Sequence, residues 1–376
     1  MENNSMLLDE YDSKVTNNQK KYGSYIGFSI TNSCPLNCEH CIVNANSYNE
    51  ELISASDYHW YLLQLIKNNP ELEEIVITGG EPFYRPNKLK VFSDFCYMHK
   101  INLAVVTSGY WASNYNRALA TIIKYPGIGK YAISTDKYHI KHLSMNYIRN
   151  AYVAAKSLNK KVHIKITGET KNSLKKNNCL NEIFEFVKDE NDLFFQCLMP
   201  IGRAKENCKN EFAYKSTPSN IIPCTSAAIF IKENGRVEPC CGILPFLKTE
   251  HHMALGNILY DDISAIFNNI KTNWLFNFIR LWGFNDLMNI IKDSELAEKL
   301  PDSFLKLKKE FLRDEVCSLC SSLFADQEIS DYLYNISKDF DFRFKVALGM
   351  VYYFDDHEPL NYLFENYNIQ NFIADK

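Results

Sequence analysis

Apolar positions along this chain follow two different periods. From Tyr25 to about Pro200, short β-rich apolar runs alternate with stretches in which apolar residues recur at helical spacing. This is the pattern of repeated strand–helix units building a parallel sheet. Strands are predicted at Tyr25 to Thr31, Glu74 to Thr78, Asn102 to Thr107, Lys130 to Ser134, Lys161 to Thr167 and Leu193 to Met199. Helices are predicted near residues 54 to 69, 87 to 99, 112 to 124, 144 to 158 and 180 to 189. Six strands with intervening helices specify an α/β fold, either a partial (βα)6 TIM-like barrel or an open sheet. In both, the loops at the strand C-terminal ends carry the chemistry.

The pattern changes after Pro200. Residues 201–223 are polar and irregular and read as a linker. Ala227 to Lys232 and Arg236 to Pro239 then form a hairpin-like pair joined through Glu233-Asn234-Gly235, and Asn-Gly is a strong turn signal. Residues from about Asp261 to Arg313 read as helical, as does a tail from about Ile329 to the end, with no internal repeat or low-complexity tract.

Composition narrows the classes. At 376 residues with 46% hydrophobic content, the chain can bury one large core and a smaller appendage. A formal charge of -4 and the lack of a basic block argue against nucleic acid as a partner. Residues Met1 to Ser24 are polar, without the apolar core of a signal peptide, and no apolar run reaches membrane-spanning length. The expectation is a cytoplasmic protein without a membrane partner. In a reducing cytosol, twelve cysteines are available for metals and catalysis instead of structural disulfides.

The first cysteine set is Thr31-Asn-Ser-Cys34-Pro-Leu-Asn-Cys38-Glu-His-Cys41, three thiols at C-x3-C-x2-C in a loop directly after a strand. Three thiolates can hold three irons of a [4Fe-4S] cube and leave the fourth open to an exogenous ligand. A structural zinc normally takes a fourth ligand, and His40, as the neighbour of Cys41, is badly placed to share one metal with it.

Together with Gly79-Gly80-Glu81-Pro82 after the second strand, this loop resembles the radical S-adenosylmethionine (SAM) superfamily over about residues 25 to 200. The resemblance implies that SAM chelates the open iron and that a reduced cluster breaks a sulfur–carbon bond, giving a 5'-deoxyadenosyl radical. It implies that Gly79, Gly80 and Glu81 approach the SAM amino group. At the next strand ends stand Thr107-Ser108-Gly109 and Ser134-Thr135-Asp136. There Ser108, Ser134 and Asp136 are candidates for ribose or methionine polar groups, against ordinary turn chemistry for Ser134 and Asp136. Lys165 is a candidate for the SAM carboxylate, or else a solvated charge. His40 takes the position of an adenine-contacting aromatic, and the strand end Leu198-Met199-Pro200 would offer backbone to adenine. Tyr138 and His139 are candidates for substrate contact, or else surface polar groups. A small electron donor such as flavodoxin or ferredoxin is the implied partner.

Downstream stand Cys224, Cys240, Cys241 and Cys317-Ser-Leu-Cys320. Cys224-x10-Gly235-x4-Cys240, preceded by Pro200-Ile-Gly-Arg203-Ala, resembles the SPASM/twitch extension that holds auxiliary clusters. No cysteine follows Cys320, so the one-cluster twitch form is the better match. The implied ligand set for an auxiliary [4Fe-4S] cluster is Cys224, Cys240, Cys317 and Cys320, with the last two expected on a loop; a zinc site is the alternative. Counting does not separate Cys240 from Cys241, while the family spacing selects Cys240. Cys241 is then either a hydrogen-atom donor facing the cleft or a small buried hydrophobe. Core packing is expected for Cys96 and Cys197, Cys208 could face the cleft, and Cys179 has no metal spacing.

The expected organisation is therefore an N-terminal extension (1–24), a radical SAM core (25–200), a linker (201–223), an auxiliary-cluster domain of hairpin plus helices (224–325) and a helical tail (326–376). The expected reaction is modification of a ribosomal peptide. Epimerisation through Cys241 leads, and oxidative crosslinking through thioether or carbon–carbon bonds is close behind. The 24 residues before the first strand are too few for a peptide-recognition domain of about 80 residues. A peptide would then bind the barrel and helical tail directly or be presented by another protein. A small molecule such as a sugar or aminocyclitol is the competing substrate. A non-catalytic metal-binding scaffold is the alternative of another class.

Overall fold

Six parallel strands follow one another in chain order. In the computed structural model, which describes residues 22–48, 52–168, 181–196, 198–199, 201–209, 214–215, 224, 226, 228–295, 311–312 and 315–367, these are β1 (Tyr25–Ser29), β2 (Glu74–Thr78), β3 (Asn102–Thr107), β4 (Ile128–Ser134), β5 (Lys161–Thr167) and β6 (Leu193–Gln196). Between them lie α1 (Ala55–Asn68), α2 (Pro86–His99), α3 (Tyr115–Lys124), α4 (Met145–Ser157) and the single turn α5 (Ile183–Phe186). Side-chain caps set the helix starts: Ser54 and Asp57 form a capping box on α1, and Asn114 and Ser144 cap α3 and α4. The Asn114 cap is why α3 begins three residues later than its apolar pattern implied.

The strand order β1-β2-β3-β4-β5-β6 decides between the two α/β architectures. Right-handed crossovers that always advance one strand in the same direction put every helix on one face. The sheet then curves around its other face as a partial barrel, whereas a doubly wound sheet reverses direction. Side-chain alternation agrees. Ile26, Phe28, Ile75, Ile77, Val105, Ile133 and Ile164 join Tyr58, Leu62, Leu89 and Phe92 of the helices in one buried core. The opposite, concave face carries Gly27, Ser29, Thr78, Ala104, Ala132, Ser134, Lys165 and Thr167, which are small or polar.

After α6 (Gly202–Asn207) and β7 (Tyr214–Lys215), the hairpin of β8 (Ala228–Ile231) and β9 (Arg236–Glu238) does not start a sheet of its own. Strand β8 lies parallel beside β1, with Tyr25 opposite Ala228. Strand β9 runs back antiparallel, and β10 (Gly256–Asn257) completes a nine-stranded sheet. Gly235, at φ +83°, makes the turn; a Cβ there would lie 2.5 Å from Asn257 Oδ1. Because β9 returns toward the start of β1, Cys240 and Cys241 emerge at the end of the sheet opposite the loop that follows β1. Tyr22, just before β1, donates to the Pro239 carbonyl at 2.7 Å.

The remaining chain is helical: α7 (Ile263–Lys271), α8 (Trp274–Lys292, kinked at Gly283), α9 (Glu315–Phe324), α10 (Gln327–Ile336), α11 (Phe340–Phe354) and α12 (Glu358–Asn366). Helix α7 packs on the first core through Ile263 and Ile266, whereas α8 to α12 share a second core that includes Cys240 and Cys320. Four sequence expectations are corrected. Strand β6 ends at Gln196 instead of reaching Met199, and the linker contains α6. Within the stretch read as helical, Phe311–Leu312 is strand β11, paired with β7. Cys317 and Cys320 lie on α9 and not on a loop. Cys179, Cys197 and Pro200 lie outside the described residues, and no described helix is long and apolar enough to cross a membrane.

Phe28, Tyr58 and Phe92 form a buried aromatic triad joining β1 to α1 and α2, with centroids 4.9 to 6.2 Å apart. Phe92→Ala is expected to cost about 3–5 kcal/mol in urea unfolding; a loss below about 1 kcal/mol would show that the triad does not anchor the helical layer.

Candidate active site at the strand ends

The loop after β1 has almost no regular structure, so neighbouring segments must satisfy its backbone. Within the loop, Cys34 N–H donates to the Asn46 carbonyl at 2.6 Å. From one side the turn after β2 closes on it: Gly80 N–H donates to Thr31 O at 2.6 Å and Glu81 N–H to Ser33 O at 2.9 Å. This approach explains the glycine pair, because a Cβ on Gly79 would lie 2.3 Å from Thr31 O and one on Gly80 2.3 Å from Ser33 O. From the other side comes Arg203, whose Nε donates to Cys38 O at 2.9 Å and whose Nη1 donates to Ala45 O at 2.6 Å. Its backbone N–H meets Cys41 O at 2.9 Å, and Gly202, at φ +57°, lets the chain come that close. Arg85 and Lys88 add bonds to Ser33 Oγ and Ile30 O. Sequence reasoning missed this bracing role of Arg203, although it singled out the Pro-Ile-Gly-Arg run containing it.

The three thiols are buried or half-buried. Burial pushes Cys34 and Cys38 up to about 12. The Glu81 charge adds to this for Cys34 and the Cys34 charge for Cys38, while Arg203 opposes both. Such thiols ionise only beside strong positive charge, which a bound metal cluster supplies. Backbone N–H groups of Leu36 and Ala45 already point at the Cys34 and Cys41 sulfurs, 3.4 Å away.

Glu81 is turned inward. It accepts from Thr107 Oγ1 at 2.8 Å, from Ser108 N–H and Oγ at 2.8 and 2.6 Å, and from Phe83 N–H at 3.2 Å. Burial raises its pKa while these bonds oppose the rise. The carboxylate and the Ser108 hydroxyl thus spend hydrogen bonds on each other inside the fold.

Beyond β4, Asp136 is fully buried and faces two imidazoles, His139 Nδ1 at 2.9 Å and His40 Nε2 at 3.4 Å. Burial alone would raise its pKa, but the pull of His139 and His40 outweighs this and holds the carboxyl well below the usual range. The ligand atoms of His40, Asp136 and His139 all lie within 4.8 Å of one another. His40 stacks on buried Tyr138 at 4.5 Å, so neither Tyr138 nor His139 is a surface group. Ser29 Oγ, Thr135 Oγ1 and His40 Nδ1 are buried without a hydrogen-bond partner. These orphaned atoms around the thiol loop fit a polar cofactor. Ser134 is half-buried opposite Lys165 in the β4–β5 register. Lys165 feels both Asp136 and the Cys241 thiol, and burial lowers its pKa. Met199 packs partly into the helical core, its carbonyl taken by Ile201 N–H at 2.8 Å.

The second cysteine set gathers at the far end. A Cβ on Gly242 would touch both Cys317 Sγ, at 3.3 Å, and Cys240 Sγ, at 3.7 Å. Burial, followed by the charges of Cys320 and Cys224, pushes Cys240 up. Cys320 is raised likewise, by burial and then by Cys317 and Cys224. Cys224 is also raised by burial, opposed by the buried Arg280 guanidinium. Four neighbouring thiols, two buried and two half-buried, with one nearby cation fit a closed cluster. Cys241 behaves differently: it is exposed, yet the surrounding protein raises its thiol, with Lys165 pulling the other way. Cys96 is core on α2, and Cys208, 1% exposed among Tyr138, Leu198 and Ala204, packs instead of facing the cleft.

Gly80→Ala, which collides with backbone, is expected to lose about four irons per chain after anaerobic reconstitution and desalting. Arg203→Ala should retain the first iron set only partially. Full iron retention by Gly80→Ala would show that the glycine turn does not hold the thiol loop.

The description "Radical SAM superfamily" belongs to the family model that matches residues 28–174. Over 196 residues the chain is 24% identical to the GTP 3',8-cyclase of Clostridium perfringens (strain SM101 / Type A), covering 50% of this chain and 59% of that relative. The chain thus spans less than two thirds of the curated relative. Similar solved structures include Streptococcus suis SuiB bound to the precursor peptide SuiA, 17% identical, covering 79% of this chain and 76% of the other, with a TM-score of 0.41. Another is anSMEcpe with bound AdoMet, 17% identical, covering 83% and 98%, with a TM-score of 0.44. The thiol loop, the glycine turn and the ends of β2 to β4 all fall inside residues 28–174, the segment that matches the radical SAM superfamily model.

Proposed function

We propose that the protein cleaves SAM reductively and uses the resulting 5'-deoxyadenosyl radical to epimerise one residue of a ribosomally made peptide, with Cys241 as hydrogen donor. A [4Fe-4S] cluster on Cys34, Cys38 and Cys41 would supply the electron for cleavage, and Cys224, Cys240, Cys317 and Cys320 would hold an auxiliary one. The backbone at Gly79 and Gly80 would meet the SAM amino group. Ser134, Asp136 and Lys165 would bind its polar groups from the concave face, and the His40 ring would bound the adenine.

The observation that carries this reading is the separation of Cys240 from Cys241. Cys240 is buried, as is Cys320, whereas Cys241, also at the sheet end opposite the first cysteine loop, is exposed and feels the Lys165 charge. A substrate carbon between the two ends can lose hydrogen on one side and regain it on the other. The substrate C–H bond breaks by hydrogen-atom transfer to the 5' carbon, and a new C–H bond forms as the Cys241 S–H bond breaks. The sulfur radical left behind takes one electron from reduced flavodoxin or ferredoxin and one proton from water.

Arg280 favours a second reading. A buried cation beside Cys224 stabilises added negative charge on whatever the auxiliary thiols hold, which suits electron acceptance and an oxidative crosslink or dehydrogenation.

The test uses reconstituted protein, SAM, a reductant and a precursor peptide encoded beside its gene, in heavy water. Epimerisation predicts deuterium at one carbon. Cys241→Ala should abolish that uptake while 5'-deoxyadenosine still forms. Unchanged deuterium uptake in the variant rules out Cys241 as donor, loss of two hydrogens from the peptide selects oxidation, and zinc content without SAM cleavage selects the scaffold.

A further inference from the structure

A cavity of about 360 Å³ lies in the helical half of the molecule, lined by His252, Trp274, Tyr334, Lys338, Arg343 and Tyr362 among others. None of its lining residues belongs to the thiol loop, the strand ends or the second cysteine set. Trp274 belongs to the same apolar core as Cys240 and Cys320.

Its polar groups divide into two kinds. The amides are spent on the fold: Asn269 donates to Leu255 O at 2.9 Å and Asn273 to Met253 O at 2.7 Å. The cations have neutral partners among the described residues. Arg343 donates through Nε to Ser337 O at 3.0 Å and through Nη1 to the Tyr367 hydroxyl at 2.8 Å, both uncharged acceptors, which fixes the guanidinium. Lys338 Nζ stands 4.0 Å from the Tyr334 ring centroid and donates to the neutral Asn335 side chain at 3.0 Å. Among the described residues neither cation is paired with a carboxylate. Asp331 is engaged by His252 at 2.6 Å and Gln327 at 2.9 Å, and Asp339, which precedes the helix bearing Arg343, is exposed and forms no ion pair among the described residues. Flat apolar faces complete the site: Tyr334 stacks with His252 at 4.5 Å, and Trp274 lies 6.2 Å from Tyr362.

We infer that this cavity binds an acidic residue and an adjacent aromatic or aliphatic residue in a part of the peptide substrate that is not itself modified. A positioned guanidinium and an ammonium without a counter-charge call for a carboxylate, and the aromatic walls call for an apolar neighbour. The volume and the exposed rim at Lys338 and Tyr362 suit a short stretch of chain that passes through. Gripping the substrate away from the chemistry would raise the local concentration of the reacting residue without adding contacts at the thiols. The inference rests on the peptide reading above.

Two fluorescein-labelled hexapeptides test it by anisotropy with the full-length reconstituted protein: Glu-Phe-Leu-Glu-Glu-Phe and the same peptide with Gln for Glu. The acidic peptide should bind, more weakly at higher salt, and the neutral one about ten-fold more weakly. Arg343→Gln should weaken acidic-peptide binding about ten-fold, and the exposed Lys338→Gln, which leaves the packing intact, about two- to five-fold. Peptide-independent formation of 5'-deoxyadenosine should not change in either variant. Equal binding of the two peptides, or unaltered affinity in both variants, overturns the inference. If a precursor is processed with unchanged KM in both variants, the inference falls and the peptide reading stands. If the acidic peptide binds as described but no peptide is turned over, the earlier reading fails and the cavity assignment stands.

Discussion

The structure depends on satisfying the backbone of one irregular loop. Residues between β1 and α1 carry three thiols, and their carbonyls point outward to donors supplied by segments far away in sequence. The glycine turn after β2 closes one side, and Arg203, 165 residues beyond Cys38, closes the other. Arg85 and Lys88 reach in from the start of α2. All three cations donate to the loop, and Arg203 also sets a positive charge against the Cys34 and Cys38 thiols. Each unmade bond here would leave a buried carbonyl without a donor and a thiolate without compensation.

The sheet turns this local arrangement into a working space. Its helix-facing side is filled with branched and aromatic residues, and its concave side is left small and polar, with Lys165 feeling the charges of both Cys241 and Asp136. The hairpin pairs directly onto β1, and its turn is tied to the thiol loop by Asn32, whose amide donates to Glu233 at 2.5 Å. The two cysteine sets are thereby referenced to the same strand from opposite ends, which lets a rigid scaffold, and not a flexible linker, set their separation.

Much of this was legible because it is local. The β-rich runs that gave β2, β3 and β5 their bounds are short, apolar and flanked by caps, and the thiol loop has a spacing with few alternatives. What escaped was long-range or ambiguous in period. Cys317 and Cys320 are three residues apart, a spacing that suits a metal loop and equally one face of a helix, and α9 takes the second. Tyr138 sits in a polar run that reads as surface, yet stacking on His40 buries it. The role of Glu81 as an inward anchor follows from its partners on β3, 26 and 27 residues away, which no local pattern announces.

The central claim is that Cys34, Cys38 and Cys41 hold the metal centre that activates SAM. The most direct measurement compares wild type with the triple Ala variant at these positions, both reconstituted without oxygen and reduced with dithionite, for iron content and 5'-deoxyadenosine release. The account predicts that the variant keeps about four irons, those of the second thiol set, and releases no 5'-deoxyadenosine. Cleavage of SAM by the variant at the wild-type rate would contradict it.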